Sequence, residues 1–109
     1  MQINEFVQKA HRMAVKKGWH QDERSPLEIH ALIHSEISEA TESVREGASA
    51  FFQNPQDKRK PEGEAVELAD AVIRIADYFG KKGWDLEKVI KKKMAYNTTR
   101  PFRHGGKRF

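Results

Sequence analysis

The feature that most constrains this chain is the helical spacing of its apolar residues, which recur every three or four positions along nearly the whole sequence. No stretch shows the sustained alternation that is typical of a β-strand. The first helix is expected over about residues 3–17, with Gly18 ending it. The second is expected from Ser25-Pro26 to about Glu46, because serine and proline open helices and Glu28 completes a capping box.

The second half of the chain contains two further helical segments. Residues 48–61 are polar and contain prolines, which predicts a mobile loop. The third helix is expected over about residues 62–82, and the fourth from its cap Asp85 to about Asn97. Helices with short connections favour an all-α, antiparallel four-helix bundle. The 109 residues suit a single domain, 1–109, that ends in a basic tail, 98–109.

A repeated tetrapeptide pattern stands at the ends of two of these helices. Lys16-Lys17-Gly18-Trp19 is echoed by Lys81-Lys82-Gly83-Trp84. Basic residues followed by glycine are typical of a helix C-terminus. We interpret the echo as two similar helix ends and not as an internal repeat.

Composition narrows the classes of function. The chain has no cysteine, which excludes disulfides, thiolate metal sites and a cysteine nucleophile. Neither a signal-peptide pattern nor an apolar run of membrane-spanning length is apparent, so a cytoplasmic setting without membrane contact is expected. The net charge of +4 combines a slightly acidic body with a strongly basic end, since residues 91–109 contain no acid. Such an end favours an anionic partner, and the small core that a chain of this length can bury favours a homo-oligomer.

Two pairs of carboxylates carry the clearest chemical signal. Glu36 and Glu39 lie in the second predicted helix, and Glu67 and Asp70 lie in the third. Each pair is spaced i, i+3, which places both side chains on one face of a helix beside the apolar residues. Two such helices packed together would present four oxygen ligands to a hard cation such as Mg²⁺. The alternative is an ordinary solvated acidic face.

Polar residues on the fourth helix suggest a partner for that cation. Lys93 and Asn97 extend an apparently inward row, and Arg100 follows three residues later. Cations near a metal suit a polyphosphate, because together they neutralise the phosphate oxygens. The alternative is a solvated basic tail without a ligand.

Aromatic and histidine side chains offer further candidates. His11, Trp19 and His20 could contact a base or sugar, since aromatic faces stack on nucleobases. Trp19 could equally be a core or cap residue. His30 and His34 have the i, i+4 spacing of a zinc pair, but a metalloprotease glutamate and a third ligand are lacking.

Taken together, these motifs resemble the MazG-like all-α nucleoside triphosphate pyrophosphohydrolases. The resemblance spans about residues 27–106 and rests on Glu36-x-x-Glu39, Glu67-x-x-Asp70 and Lys93-x-x-x-Asn97-x-x-Arg100, followed by a Pro- and Gly-containing tail. The family signature reads Glu-Glu-x-x-Glu, a spacer, then Glu-x-x-Asp. Ser35 stands where that signature has its first Glu.

The resemblance implies hydrolysis of an NTP or dNTP to the monophosphate and pyrophosphate, for house-cleaning or control of a nucleotide pool. Mg²⁺, or alternatively Mn²⁺, would be bound by the four acids, and Glu36 or Glu39 could also act as general base. Lys93, Asn97 and Arg100 would orient phosphates, and His11 and Trp19 would contact the nucleoside. Family members assemble as dimers or tetramers. The alternatives are a helical module that binds nucleotides without efficient hydrolysis, or one that binds nucleic acid through its tail.

Overall fold

The structure, a computed structural model, describes residues 2–109 and is mostly helical. The all-α fold class predicted from the sequence is confirmed, and all four predicted helices are present with ends within two residues of those expected. The elements are α1 (Ile3–Lys16), α2 (Pro26–Arg45), β1 (Phe52–Gln53), β2 (Pro61–Glu62), α3 (Glu64–Lys82), α4 (Leu86–Thr98) and α5 (Arg103–Gly106). Within residues 2–109, no helix combines the length and apolar character needed to cross a membrane.

Local capping explains where α2 and α4 begin. The Glu28 backbone N–H donates to Ser25 Oγ at 3.2 Å, and the Ser25 N–H donates to Glu28 Oε1 at 3.4 Å, which is the predicted capping box. At the start of α4, Asp85 Oδ1 accepts from the Lys88 N–H at 2.9 Å. Each cap satisfies backbone donors that have no partner inside the helix.

The two Lys-Lys-Gly-Trp segments form equivalent helix ends, as the sequence predicted. Gly18 and Gly83 both have a left-handed backbone, with φ of 85° and 70°. The Trp19 N–H then donates to the Ala14 carbonyl, and the Trp84 N–H to the Phe79 carbonyl, both at 3.0 Å. This pattern is the Schellman motif, for which glycine is preferred because a Cβ would strain the backbone.

The prediction of a plain loop over residues 48–61 was wrong in part, because β1 and β2 pair there as a small antiparallel hairpin. Asn54 Oδ1 accepts from two backbone N–H groups in the connection, an arrangement that organises a turn. The hairpin leads into Gly63, which has φ of 116° and no room for a Cβ against the Ser49 and Ala50 carbonyls. Two-residue strands are too short for the sequence pattern to indicate them.

Helix α3 is the centre of the fold and packs against both α1 and α2, whereas α4 packs against α1. Asn4 of α1 bonds Asp85 and the Glu87 N–H at the start of α4. Beyond that first part, residues 91–99 are exposed throughout. The apolar side chain of Met94 lies in this part of α4 and is 62% exposed within one subunit.

The core of the single subunit is small. Val7, Ala10 and Ala76 form its buried centre, with Phe6, Phe79 and Leu86 packed around them. The radius of gyration is 16.6 Å, whereas a compact chain of this length has about 13 Å. Many large apolar side chains are exposed, among them Val44, Val72, Val89 and Tyr96. The subunit thus leaves considerable apolar surface without a partner inside the chain.

Candidate functional site

The four predicted carboxylates lie together where α2 packs on α3. Oxygen atoms of Glu36, Glu67 and Asp70 all lie within 4.8 Å of one another. Glu36 is only 8% exposed, while Glu39 is exposed and reaches Glu67 from one turn along α2. We call these four residues the acid cluster. The i, i+3 spacing accounts for this convergence, since each helix contributes two acids from the same face.

The proximity of these acids perturbs their protonation. Burial, a hydrogen bond with Glu39 and the negative charges of Glu39, Asp70 and Glu36 raise the pKa of Glu67 from 4.5 to about 7. Burial and the Glu36 charge also raise the pKa of Asp70, against a smaller lowering effect of Arg74. Ionised carboxylates at this spacing repel one another, so the arrangement favours either a shared proton or a cation.

Arg74 is the cation that the protein itself supplies to the acid cluster. Its Nε donates to Glu36 Oε1 at 2.9 Å, and both side chains are partly withdrawn from solvent. One arginine balances only part of the negative charge of four acids. Sequence reasoning missed Arg74, although its position four residues after Asp70 places it on the same face of α3.

A cavity of about 570 Å³ opens beside the acid cluster, with Glu36 and Asp70 in its wall. Its size lies within the range of small-molecule sites. The wall combines apolar side chains from α1, α2 and α3 with several charged ones. The cations in the wall are Lys9, Arg24, Arg74 and Lys81. A cavity with this lining can bind an anionic ligand that also has an apolar or aromatic part.

The other part of the cavity is lined by Trp19, His20 and Asp77. Asp70 and Asp77 are seven residues apart on α3, so they lie on the same face about 10 Å apart along the helix. The Arg24 guanidinium lies 5.9 Å from the centre of the Trp19 ring, and Trp19 is 57% exposed. The cavity therefore has an acidic end and an aromatic end, and Arg74 lies between Asp70 and Asp77 along α3.

His11, predicted to contact substrate, is not in the cavity wall. Its Nδ1 lies 2.9 Å from Asp77 Oδ1, on the α1 side of that carboxylate. His30 and His34 are exposed on α2, and neither belongs to a potential metal-binding group within residues 2–109. Ser35 is exposed and donates from Oγ to the Leu32 carbonyl at 2.6 Å.

The predicted phosphate-binding residues on α4 and just after it lie elsewhere in the subunit. Lys93, Asn97 and Arg100 do not line the cavity. Lys93 and Asn97 are exposed, and the cationic groups of Lys93 and Arg100 lie 5.1 and 5.7 Å from the centre of the Tyr96 ring. The inward row that the sequence suggested ends at Ile90, because the rest of α4 extends away from α1. A phosphate-binding role for these three residues stays a prediction.

Comparison with models of known protein families, with curated proteins and with solved structures finds no match to this chain. The resemblance to the MazG-like family accordingly rests on the motif residues alone. The site is best interpreted from its own chemistry: an acid cluster, a basic cavity wall and an exposed tryptophan.

Proposed function

We propose that this protein is a metal-dependent nucleoside triphosphate pyrophosphohydrolase of the MazG-like type, converting an NTP or dNTP and water to the monophosphate and pyrophosphate. The observation that carries the proposal is the convergence of four carboxylates from α2 and α3, two of which, Glu36 and Asp70, line a cavity whose wall also contains four cations. A nucleotide has the matching polarity, with phosphates at one end and a base at the other.

The donor set of the acid cluster suits Mg²⁺, with Mn²⁺ as the alternative. The ligands are carboxylate oxygens only, which hard cations prefer. Burial and the neighbouring negative charges raise the pKa values of Glu67 and Asp70, and a divalent cation would balance those charges. Glu36, Glu39, Glu67 and Asp70 would hold the ion. A bound Mg²⁺ would neutralise phosphate charge and lower the pKa of a coordinated water.

The chain's own residues would divide the remaining tasks. Arg74 fixes the Glu36 carboxylate through its Nε, and its remaining N–H groups are available to a phosphate. Glu36 or Glu39 would accept the proton of the attacking water. Trp19 offers an aromatic face to a base at the far end of the cavity.

We further propose that the active form is a homo-oligomer, a dimer or tetramer. The exposed apolar side chains and the outward extension of α4 support this proposal. In such an assembly Lys93, Asn97 and Arg100 of one subunit could reach the cavity of another. Sedimentation across a range of protein concentrations would test it, and a monomer at all concentrations would contradict it.

The enzyme proposal is tested by measuring pyrophosphate and monophosphate release from a panel of NTPs and dNTPs, with Mg²⁺ and with EDTA. We expect Mg²⁺-dependent release that Glu67→Gln and Asp70→Asn abolish, because each removes one charged ligand. Glu64→Gln is the matched control, since Glu64 lies in the same first turn of α3 but outside the acid cluster. It should keep full turnover.

Two outcomes would contradict this proposal. Full turnover in Glu67→Gln or Asp70→Asn would show that the acid cluster is not the site. No release from any nucleotide would exclude the enzyme. If calorimetry then showed nucleotide binding, the protein would be a nucleotide-binding module without efficient hydrolysis.

A second candidate function, nucleic-acid binding, is favoured by one observation. The basic end of the chain, residues 91–109, is exposed at every position except Arg100. Such binding would weaken steeply with salt and would not need Mg²⁺. A gel shift at low salt tests it with the full chain and with residues 98–109 removed, and the absence of a shift for the full chain would exclude it.

A further inference from the structure

Behind the aromatic end of the cavity, three side chains from separate segments converge on one point. His11 lies on α1, His20 follows the turn at Gly18, and Asp77 lies on α3. One ligand atom of each lies within 4.8 Å of the other two. Their side chains are 25%, 19% and 21% exposed, respectively, so the cluster is largely withdrawn from solvent. We call these residues the His–Asp cluster.

The backbone is built to hold this cluster. At Gly80, one turn beyond Asp77, a Cβ would lie only 2.5 Å from the His11 Cβ. Only glycine therefore allows α1 to approach α3 closely enough for His11 to reach Asp77. On the other side, the left-handed Gly18 reverses the chain so that His20 returns to the same carboxylate. Three independent chain segments are thus fixed around one position.

The three ligand atoms are near enough to one another to surround a single zinc ion. His11 Nδ1 lies 2.9 Å from Asp77 Oδ1, and His20 Nε2 lies 2.8 Å from the same oxygen. Around tetrahedral Zn²⁺, with bonds of about 2.0–2.1 Å, neighbouring ligand atoms are about 3.3 Å apart. These two distances would have to lengthen by about half an ångström, and the ligand atoms of the two rings, which lie within 4.8 Å of each other, would have to take up the same separation. The centres of the two imidazole rings are 5.1 Å apart and the ring planes are inclined at 63°, so the rings approach the carboxylate from different directions.

We propose that His11, His20 and Asp77 form a second metal site, for Zn²⁺ or a similar borderline transition metal, distinct from the oxygen-only acid cluster. Two imidazoles and one carboxylate are a zinc donor set, whereas Mg²⁺ avoids nitrogen. Three protein ligands leave one position for water or a ligand, and His20 and Asp77 also line the cavity. This inference does not depend on the proposed function.

Metal binding requires a particular tautomer of each imidazole ring. Without metal, His11 donates Nδ1–H and His20 donates Nε2–H to Asp77 when the rings are neutral. A ligating nitrogen must present its lone pair, so each neutral ring would carry its proton on the other nitrogen instead. The proton stays on the imidazole, and nothing is oxidised or reduced. Proton-detected nitrogen NMR distinguishes the two tautomers.

The test titrates the full-length protein with Zn²⁺ against a chromogenic chelator, in the presence of excess Mg²⁺ to saturate oxygen-only sites. We expect one zinc per chain and a change of tautomer at both His11 and His20. His20→Gln and Asp77→Asn should each weaken zinc binding by about 100-fold or more, since losing even an outer-shell partner costs about 10–100-fold. Circular dichroism identifies any variant that fails to fold.

Two controls keep the result specific. The double variant His30→Gln/His34→Gln removes an exposed histidine pair on α2 and should bind zinc as the wild type does. Glu67→Gln alters the acid cluster and should also leave zinc binding unchanged. The proposal is overturned if the wild type does not bind zinc, if zinc binding is lost in either control, or if the tautomers of His11 and His20 do not change. Those results would leave a metal-free hydrogen-bonded cluster.

Discussion

Replacing Glu67 by Gln should stabilise the metal-free protein, although the change removes a proposed ligand. The pKa of Glu67 is raised from 4.5 to about 7, mainly by burial and by Glu39. Such a shift corresponds to about 3 kcal/mol of unfavourable free energy for the ionised form. Because Glu67 is partly exposed, solvent screening reduces this cost, and we expect a gain of about 1–2 kcal/mol. For a chain of this size the melting temperature would rise by about 4–8 °C.

The stability difference between Glu67→Gln and the wild type should depend on pH. Between pH 4.5 and about 7 the folded protein holds the Glu67 proton more tightly than the unfolded chain does. The contribution of Glu67 to the free energy of unfolding therefore falls as pH rises through that window. Glutamine cannot ionise, so residue 67 of the variant makes no such pH-dependent contribution to the free energy of unfolding. The wild type and Glu67→Gln should have similar free energies of unfolding at pH 4.5. The gain in stability of the variant should reach its full value at pH 8.

Thermal unfolding followed by circular dichroism, in EDTA at several pH values, measures the difference. Glu64→Gln is again the matched control, because it removes a charge from the same helix turn without relieving the acid cluster. It should slightly destabilise, since an anion at a helix N-terminus is favourable. The reasoning is refuted if Glu67→Gln is no more stable than the wild type at pH 8, or if its gain is the same at pH 4.5.

Two further variants test the packing and capping of the fold. Gly80→Ala should destabilise by up to about 2 kcal/mol, because overpacking against His11 outweighs the helix propensity of alanine; an unchanged or increased urea midpoint would contradict the close approach of α1 and α3. Ser25→Ala should lower the free energy of unfolding by about 1 kcal/mol through loss of the capping box. An equal urea midpoint for Ser25→Ala and the wild type would show that the cap contributes nothing.

Helix positions were predictable because their signals are local. Ser25, Asp85 and the glycines at 18 and 83 act within one turn of themselves, so the printed sequence contains all that is needed to place those helix ends. The meeting of the four acids was also foreseeable, since two i, i+3 pairs on neighbouring helices have few other ways to pack. Their role in binding a metal stays a prediction.

The path of α4 could not be predicted, because it depends on contacts rather than on periodicity. The fourth helix has apolar residues at helical spacing, yet Val89 and Met94 are 50% and 62% exposed. An amphipathic pattern indicates that a face is buried but does not name the partner that buries it. Within one chain α4 contacts α1 near its start only. The homo-oligomer proposed above would supply a partner for the remainder.

The most informative departure from sequence expectation lies on α3. Glu67, Asp70, Arg74, Asp77 and Lys81 recur every three or four residues, which at 100° per residue places them within an arc of about 80°. At that spacing apolar side chains would form a stripe, but here the side chains are charged, and four of the five line the cavity. Ala76 and Phe79, on the other side of α3, belong to the hydrophobic core. Charged groups that are partly withdrawn from solvent cost stability unless they are paired, and here Arg74 pairs with Glu36 while Asp77 contacts two histidines. Both carboxylate-containing clusters lie along this stripe, and the function proposed for the cavity would account for keeping it.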